Sequence, residues 1–282
     1  RYILPNNING KVILNIYDLV FEKHIETMES KNRENFKRSF YKSVERADQI
    51  ITISESSKNE LIEILKVPEN KIHIVHPGID FQKFNNRDIV ITKKVISKYS
   101  LPNDYILYLG TLEPRKNVEN IIRAYANLKN SGEIKENLVI AGKKGWLFYE
   151  IFDLIKSLDL EDTVVLTGYI DECEKPVIYQ NAKLFIFPSL YEGFGMPILE
   201  AMAAGIPVIT SNVSAMPEVA GDAAILVNPL DCKEISGAIL KILKSNELSN
   251  ELVNKGFEQC KKFTWSNSAN KLVEIYKKYG GK

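Results

Sequence analysis

Phe187-Pro188-Ser189-Leu190-Tyr191-Glu192-Gly193-Phe194-Gly195-Met196-Pro197-Ile198-Leu199-Glu200-Ala201-Met202-Ala203-Ala204-Gly205 holds a strand, a loop and the start of a helix in one run. The apolar strand ends at Pro188, and two glycines turn the chain. Pro197 then stands where a first helical turn begins, a position at which a missing N–H costs nothing. Glu192 falls on the loop and Glu200 is expected on the first turn of the helix. Both carboxylates are therefore expected to point into one cleft beyond the sheet.

The same rhythm extends outward. Short apolar runs alternate with amphipathic stretches from residue 105 onward, the pattern of β-α-β units around a buried parallel sheet. Strands are predicted at 105–109, 137–141, 163–167, 183–187, 206–210 and 223–227. Helices with apolar spacing of three to four are predicted at 117–130, 146–158, 171–181, 196–204, 231–244, 247–261 and 266–279. The first part is sparser, with strands at 12–17, 49–53 and 71–75 and helices at 32–47 and 56–65. It reads as half of a second α/β domain. The polar, poorly periodic stretch that follows is the linker candidate. The expected organisation is a partial domain over 1–80, a linker over 81–104, a second domain over 105–264 and a returning helix over 265–282.

Composition narrows the function. Thirty-seven basic and thirty-six acidic residues nearly cancel, so no global field draws the chain to nucleic acid. Cys173, Cys232 and Cys260 are too widely spaced for a disulfide framework or zinc site. His24, His73 and His76 share no ligand spacing, no Asp-x-Asp element occurs, and no metal is expected. There is no apolar run of membrane-spanning length and the opening residues do not resemble a signal peptide, so a cytoplasmic protein is expected.

A second loop carries chemistry. In Leu109-Gly110-Thr111-Leu112-Glu113-Pro114-Arg115-Lys116-Asn117 a strand ends and a helix begins, the place where open parallel sheets bind ligands. Gly110 permits close backbone approach, Asn117 is a candidate helix cap, and the helix N-terminus favours an anion. Arg115 and Lys116 add two charges that would stabilise a departing diphosphate without a metal. From spacing alone, a solvated strand-to-helix loop is an equal reading. In the Glu192 segment, carboxylates suit sugar and ribose hydroxyls, and the backbone of Gly193, Phe194 and Gly195 is expected to lie uncovered. Singly these residues have ordinary structural readings; together, at this spacing, the functional reading prevails. Tyr169, Tyr191 and Trp146 read as aromatics closing a core, with Phe194 the exception.

The segment from Glu192 to Glu200 resembles the Glu-x7-Glu motif of the family 4 retaining glycosyltransferases, and the likeness continues through Ile206–Asn212, Met216–Ala224 and Asn228-Pro229. That resemblance implies a GT-B fold: two Rossmann-like doubly wound α/β domains facing a cleft, the first incomplete here. It implies that Arg115 and Lys116 contact the donor diphosphate, at the loop of Gly110 and Thr111. Glu200 would bind the ribose, and Glu192 with the Gly193–Gly195 backbone the transferred sugar. Thr167-Gly168-Tyr169-Ile170 would meet the nucleobase through backbone atoms. The implied partners are a GDP- or UDP-sugar donor, used as substrate with no further cofactor, and a glycan or lipid-linked acceptor. Thr111 stands where many members have arginine, and the Glu-Pro-Arg-Lys-Asn variant is similar to mannosyl- and rhamnosyltransferases of bacterial surface polysaccharides.

The first part resembles the family's acceptor domain over about 11–80, without its opening strands, so a segment upstream of Arg1 is expected to be missing. Tyr17-Asp18 replaces the family's His-Asp. Helix 32–47 carries Lys37, Arg38, Lys42 and Arg46, read mainly as a solvated face, with weak contact to the inner membrane surface as the minor reading. A sugar-nucleotide epimerase is one alternative, though it would want acid and base residues not apparent here. A non-catalytic nucleotide-sugar binding module is the other, favoured by the missing strands and by Tyr17.

Overall fold

The computed structural model describes residues 3–5, 9–23, 33–143 and 148–279. Arg1, His24 and Trp146, singled out from the sequence, lie outside the described residues. The chain folds into two compact units, one comprising Arg1–Gly78, Glu192–Phe194 and Phe263–Lys282, the other Ile79–Tyr191 and Gly195–Lys262.

In the first unit, β1 (Ile13–Asn15), β2 (Gln49–Thr52) and β3 (Ile72–Ile74) form a parallel sheet in that order. Helices α1 (Val20–Lys23), α2 (Arg33–Arg46) and α3 (Glu55–Glu63) join them. The core gathers Leu14, Ile16, Leu19, Phe21, Phe40, Ile50 and Leu61. Phe21 stands edge-on to Phe40 with ring centroids 4.8 Å apart. Burying each such side chain is worth roughly 1.5–3 kcal/mol. Lys37 pairs with Glu22 at 2.7 Å and Arg46 donates to Pro5 O at 3.0 Å, so two basic residues of α2 serve this unit. His73 meets Gln49 at 2.7 Å, and its pKa is lowered by burial and then by Lys278 and Lys271.

The second unit opens with α4 (Phe81–Asn85) and α5 (Ile89–Lys98), where a bare linker was expected. The sequence hid them because each is short and begins on an aspartate. Asp80 accepts from Lys83 N at 3.1 Å, and Asp88 from Val90 N at 2.8 Å and Ile91 N at 3.0 Å, satisfying first-turn donors. Phe84 and Val95 are buried, and Gln180 donates to the carbonyls of Phe84 and Asn86 at 2.6 and 2.9 Å.

Beyond them β4 (Tyr105–Leu109), α6 (Val118–Asn130), β5 (Asn137–Ala141), α7 (Phe148–Ser157), β6 (Val164–Gly168), α8 (Lys175–Gln180) and β7 (Leu184–Phe187) follow the predicted alternation. So do α9 (Met196–Ala203), β8 (Val208–Ser211), α10 (Met216–Ala220), β9 (Ala224–Val227), α11 (Cys232–Lys244) and α12 (Asn246–Cys260). The six strands are parallel in the order β6-β5-β4-β7-β8-β9. Every residue of β4 and β7 is buried, which is why they read as unbroken apolar runs. Because the chain leaves β4 to one side and β7 to the other, the topological switch point lies between these two strands. Ligands of such sheets bind there, beyond the carboxyl ends.

The last helix, α13 (Trp265–Tyr279), belongs to the first unit, where Ile275 packs with Ile51 and Val75. Gly78 makes this docking possible, since a Cβ there would lie 2.2 Å from the backbone N of Trp265.

Candidate functional site

The loops leaving β4 and β7 are tied together at the switch point. Leu190 N donates to Arg115 O at 2.7 Å, and the Arg115 guanidinium donates through Nη1 to Tyr191 O at 3.0 Å. Arg115 Nη2 also lies 2.6 Å from Glu113 Oε1. Pro114 starts a single 3-10 turn over Pro114–Lys116. Lys116 is buried, with its ammonium 5.1 Å from the centroid of the Phe187 ring. The two cations expected from the sequence thus sit at the strand ends. Glu113, unnoticed there, anchors the guanidinium; its spacing two residues before Arg115 was the available signal.

Asn117 corrects an expectation. It occupies the N-cap position of α6 in a left-handed conformation, φ 60°, and its side chain makes no capping hydrogen bond. Its amide instead donates to Pro188 O at 3.0 Å and Pro229 O at 2.6 Å, joining three loops. Next to Gly110 the chain also approaches itself closely: a Cβ on Gly142 would collide with Gly110 O, so Gly142 lets these two strand ends meet. Thr111 is exposed and its carbonyl accepts from Tyr108 Oη at 3.1 Å.

Glu200 is the fifth residue of α9, just past the first turn on which it was expected. Its Oε2 accepts from the Tyr179 hydroxyl at 2.9 Å, and its Oε1 lies 3.9 Å from Lys175 Nζ. Burial raises the carboxyl pKa; Lys175 and then Tyr179 oppose that shift. Gly195 precedes the helix at φ 106°, a conformation glycine adopts without cost. After β6, Tyr169 is exposed and Ile170 buried, so the side chain at 169 points away from the core.

Glu192, Gly193 and Phe194 belong to the first unit. Glu192 is buried. The backbone at Gly193 is not uncovered as expected: Ser54 Oγ donates to its carbonyl at 2.7 Å, and a Cβ would lie 2.7 Å from Asp18 Cβ. Phe194 is buried against His76 and Phe263, at centroid distances of 6.0 and 5.6 Å, so it closes a core rather than presenting a face to ligand. Tyr17 is exposed, and its carbonyl accepts from Ser57 Oγ at 3.0 Å. Among the described residues no three His, Cys, Asp or Glu side chains gather to hold a metal ion. Likewise no described helix is long and apolar enough to cross a membrane.

Residues 92–259 match the family model described as glycosyl transferases group 1, and residues 11–83 the model of glycosyltransferase family 4. The chain belongs to the group 1 glycosyl transferases. It is 34% identical over 241 residues to the O-antigen chain mannosyltransferase B of Escherichia coli, covering 85% of this chain and 63% of that protein. The serotype-specific mannosyltransferase WbdA of Escherichia coli is 34% identical over 245 residues, 84% of this chain and 30% of WbdA. The chain therefore spans less than two thirds of these curated relatives. Among solved structures, sucrose-phosphate synthase from Thermosynechococcus elongatus superposes with a TM-score of 0.80 at 24% identity, over 96% of this chain and 68% of that one. Anabaena HepE, in complex with UDP and glucose, gives 0.81 at 17% identity over 95% and 72%. The fold of this family member is GT-B.

Proposed function

We propose that this chain works as a retaining hexosyltransferase that draws a mannose-like sugar from a GDP- or UDP-sugar and passes it to a glycan or lipid-linked acceptor. The observation that carries the reading is the anchoring of Arg115 beside buried Lys116 at the β4–β7 switch point. Such fixed cations stabilise charge developing on a leaving diphosphate without reorganising during the reaction. Mannose as the transferred sugar is supported by the names of the Escherichia coli relatives.

In this reading Arg115 and Lys116 hold the diphosphate, Gly110 and Thr111 line its loop, and Glu200 accepts from the ribose hydroxyls. The backbone at Tyr169 and Ile170 meets the base. Glu192 and the backbone at Phe194 and Gly195 hold the sugar, the Gly193 carbonyl being engaged by Ser54; these roles rest on the resemblance. The bond from the anomeric carbon to the diphosphate oxygen breaks as the acceptor oxygen bonds to the same face. The acceptor's proton passes to the departing phosphate oxygen, so no carboxylate nucleophile and no metal enters the scheme. The setting is the cytoplasm, at the inner membrane face when the acceptor is lipid-linked.

Calorimetric titration with GDP and UDP in EDTA tests this. Binding of one diphosphate should persist in chelator and fall about tenfold or more in Arg115→Ala, the loss of one charge-assisted contact. Binding that needs a divalent ion, or that ignores Arg115, would refute it.

A further inference from the structure

Tyr179 lies on α8, in the second unit, and none of its side chain reaches solvent. Its ring is held edge-on by Phe84 and Phe185, at centroid distances of 5.9 and 5.2 Å and interplanar angles of 68° and 69°. The hydroxyl therefore has a fixed address, 2.9 Å from Glu200 Oε2. Burial first, then the charge of Glu200, pushes the phenol well above its ordinary pKa, so it stays protonated and can only donate. Glu200 must be the acceptor, through Oε2 alone. Its other oxygen, Oε1, has Lys175 at 3.9 Å, a distance too long for a hydrogen bond, and Lys175 is itself 2.6 Å from Glu172.

We propose that Tyr179 is a positioning residue: by holding Oε2 of Glu200 inside the fold, it turns Oε1 outward as the single acceptor offered to the donor's ribose hydroxyls. The inference rests on the reading of Glu200 as the ribose carboxylate and adds the residue that aims it. A carboxylate on a three-bond side chain has rotamers to lose on binding, and a buried donor that selects one of them removes that cost beforehand. Glu200 thus contributes ribose selectivity only while Tyr179 holds it. The ionisable groups that act on this carboxylate are Tyr179 and Lys175 of α8, Glu172 in the turn before that helix, and Lys83 of α4.

The test compares GDP and UDP with their 2′,3′-dideoxy forms and with inorganic pyrophosphate, titrated calorimetrically into the wild-type protein and Tyr179→Phe. Wild type should prefer the ribonucleotide by about tenfold or more, and the variant should lose most of that preference while binding pyrophosphate as before. A second readout is the pH at which ribonucleotide affinity falls on acidification. Because the Tyr179 hydroxyl lowers the Glu200 pKa, removing it should move that fall to higher pH, which a purely structural role would not do. Should Tyr179→Phe fail to fold for want of a donor to a buried carboxylate, Glu200→Ala is compared with Glu200→Ala/Tyr179→Phe. Neither should distinguish ribose from dideoxyribose, and a difference between them would overturn the inference. A wild type that discriminates alongside a Tyr179→Phe protein that discriminates equally would overturn it while leaving the Glu200 reading intact. A wild type that binds GDP or UDP no better than the dideoxy form would overturn both.

Discussion

Replacing Asn117 by alanine should destabilise the second unit by untying the loops that its side chain joins. The amide donates to Pro188 O at 3.0 Å and to Pro229 O at 2.6 Å, and the residue is 7% exposed. Asn120 also donates to Pro229 O, at 3.0 Å, so that carbonyl keeps a partner. Pro188 O loses the donor from Asn117, and stranding a buried acceptor costs about 1–3 kcal/mol. The backbone at φ 60° adds about 1 kcal/mol for alanine, which lacks asparagine's tolerance of that region. Together the change should cost about 3 kcal/mol, a melting shift of roughly 6–12 °C for a unit of this size. Asn117→Gly separates the two contributions, because it relieves the backbone but not the hydrogen bonds, and should recover about 1 kcal/mol of the loss. Asn117→Asp keeps the shape and removes both donors, and should be at least as unstable as alanine at neutral pH. Differential scanning calorimetry reads the shift. Hydrogen exchange at the Leu190 amide, which donates to Arg115 O, reports whether the loops have come apart. An Asn117→Ala protein melting within about 2 °C of wild type would refute the claim that this amide ties the loops.

Burial raises the Glu200 pKa above its ordinary value, so between those two values the folded protein holds a proton that the unfolded chain has lost. Stability contributed by this group is therefore full below the ordinary carboxyl range and lost as pH rises through the folded value; urea midpoints of Glu200→Gln should lack this slope. His73 behaves oppositely: burial lowers its pKa, so stability should fall as pH drops from the ordinary histidine value toward the folded one, and His73→Gln should flatten that limb. Gly195→Ala places a side chain at φ 106° with its Cβ 3.0 Å from Ile198 Cδ1, and thermal melts should show a loss of about 1–2 kcal/mol. At Gly78 the obstruction to a Cβ is backbone, with Trp265 N at 2.2 Å and Thr264 C at 2.6 Å, so Gly78→Ala should loosen α13 and expose its start to limited proteolysis.

How much of this was legible in the sequence depended on whether a residue's partners were near it in the chain. Strands β4, β5, β7 and β8 were readable because burial on both faces leaves an apolar run that needs no knowledge of the neighbours, while the half-buried edge strands β6 and β9 were readable from their place in the alternation. The strand-end loops were readable for the same reason, since a sheet's ligand edge follows from strand direction. Helices α4 and α5 were not, because a five-residue and a ten-residue helix show little periodicity and their aspartate caps resemble linker composition. The roles of individual loop residues were hidden by distance. Tyr179 stands 21 residues before Glu200, and Ser54 stands 139 residues before the Gly193 carbonyl it binds. The glycines make the point most sharply. Glycine in a strand-end loop reads as room for a ligand, yet at Gly142 and Gly193 the room is taken by Gly110 and Asp18 of the protein itself. A missing side chain signals close approach without saying by what. Which loop atoms remain for a substrate is thus fixed by subtraction, after the fold has taken its own contacts. That subtraction leaves Oε1 of Glu200 as the oxygen its internal partner does not hold.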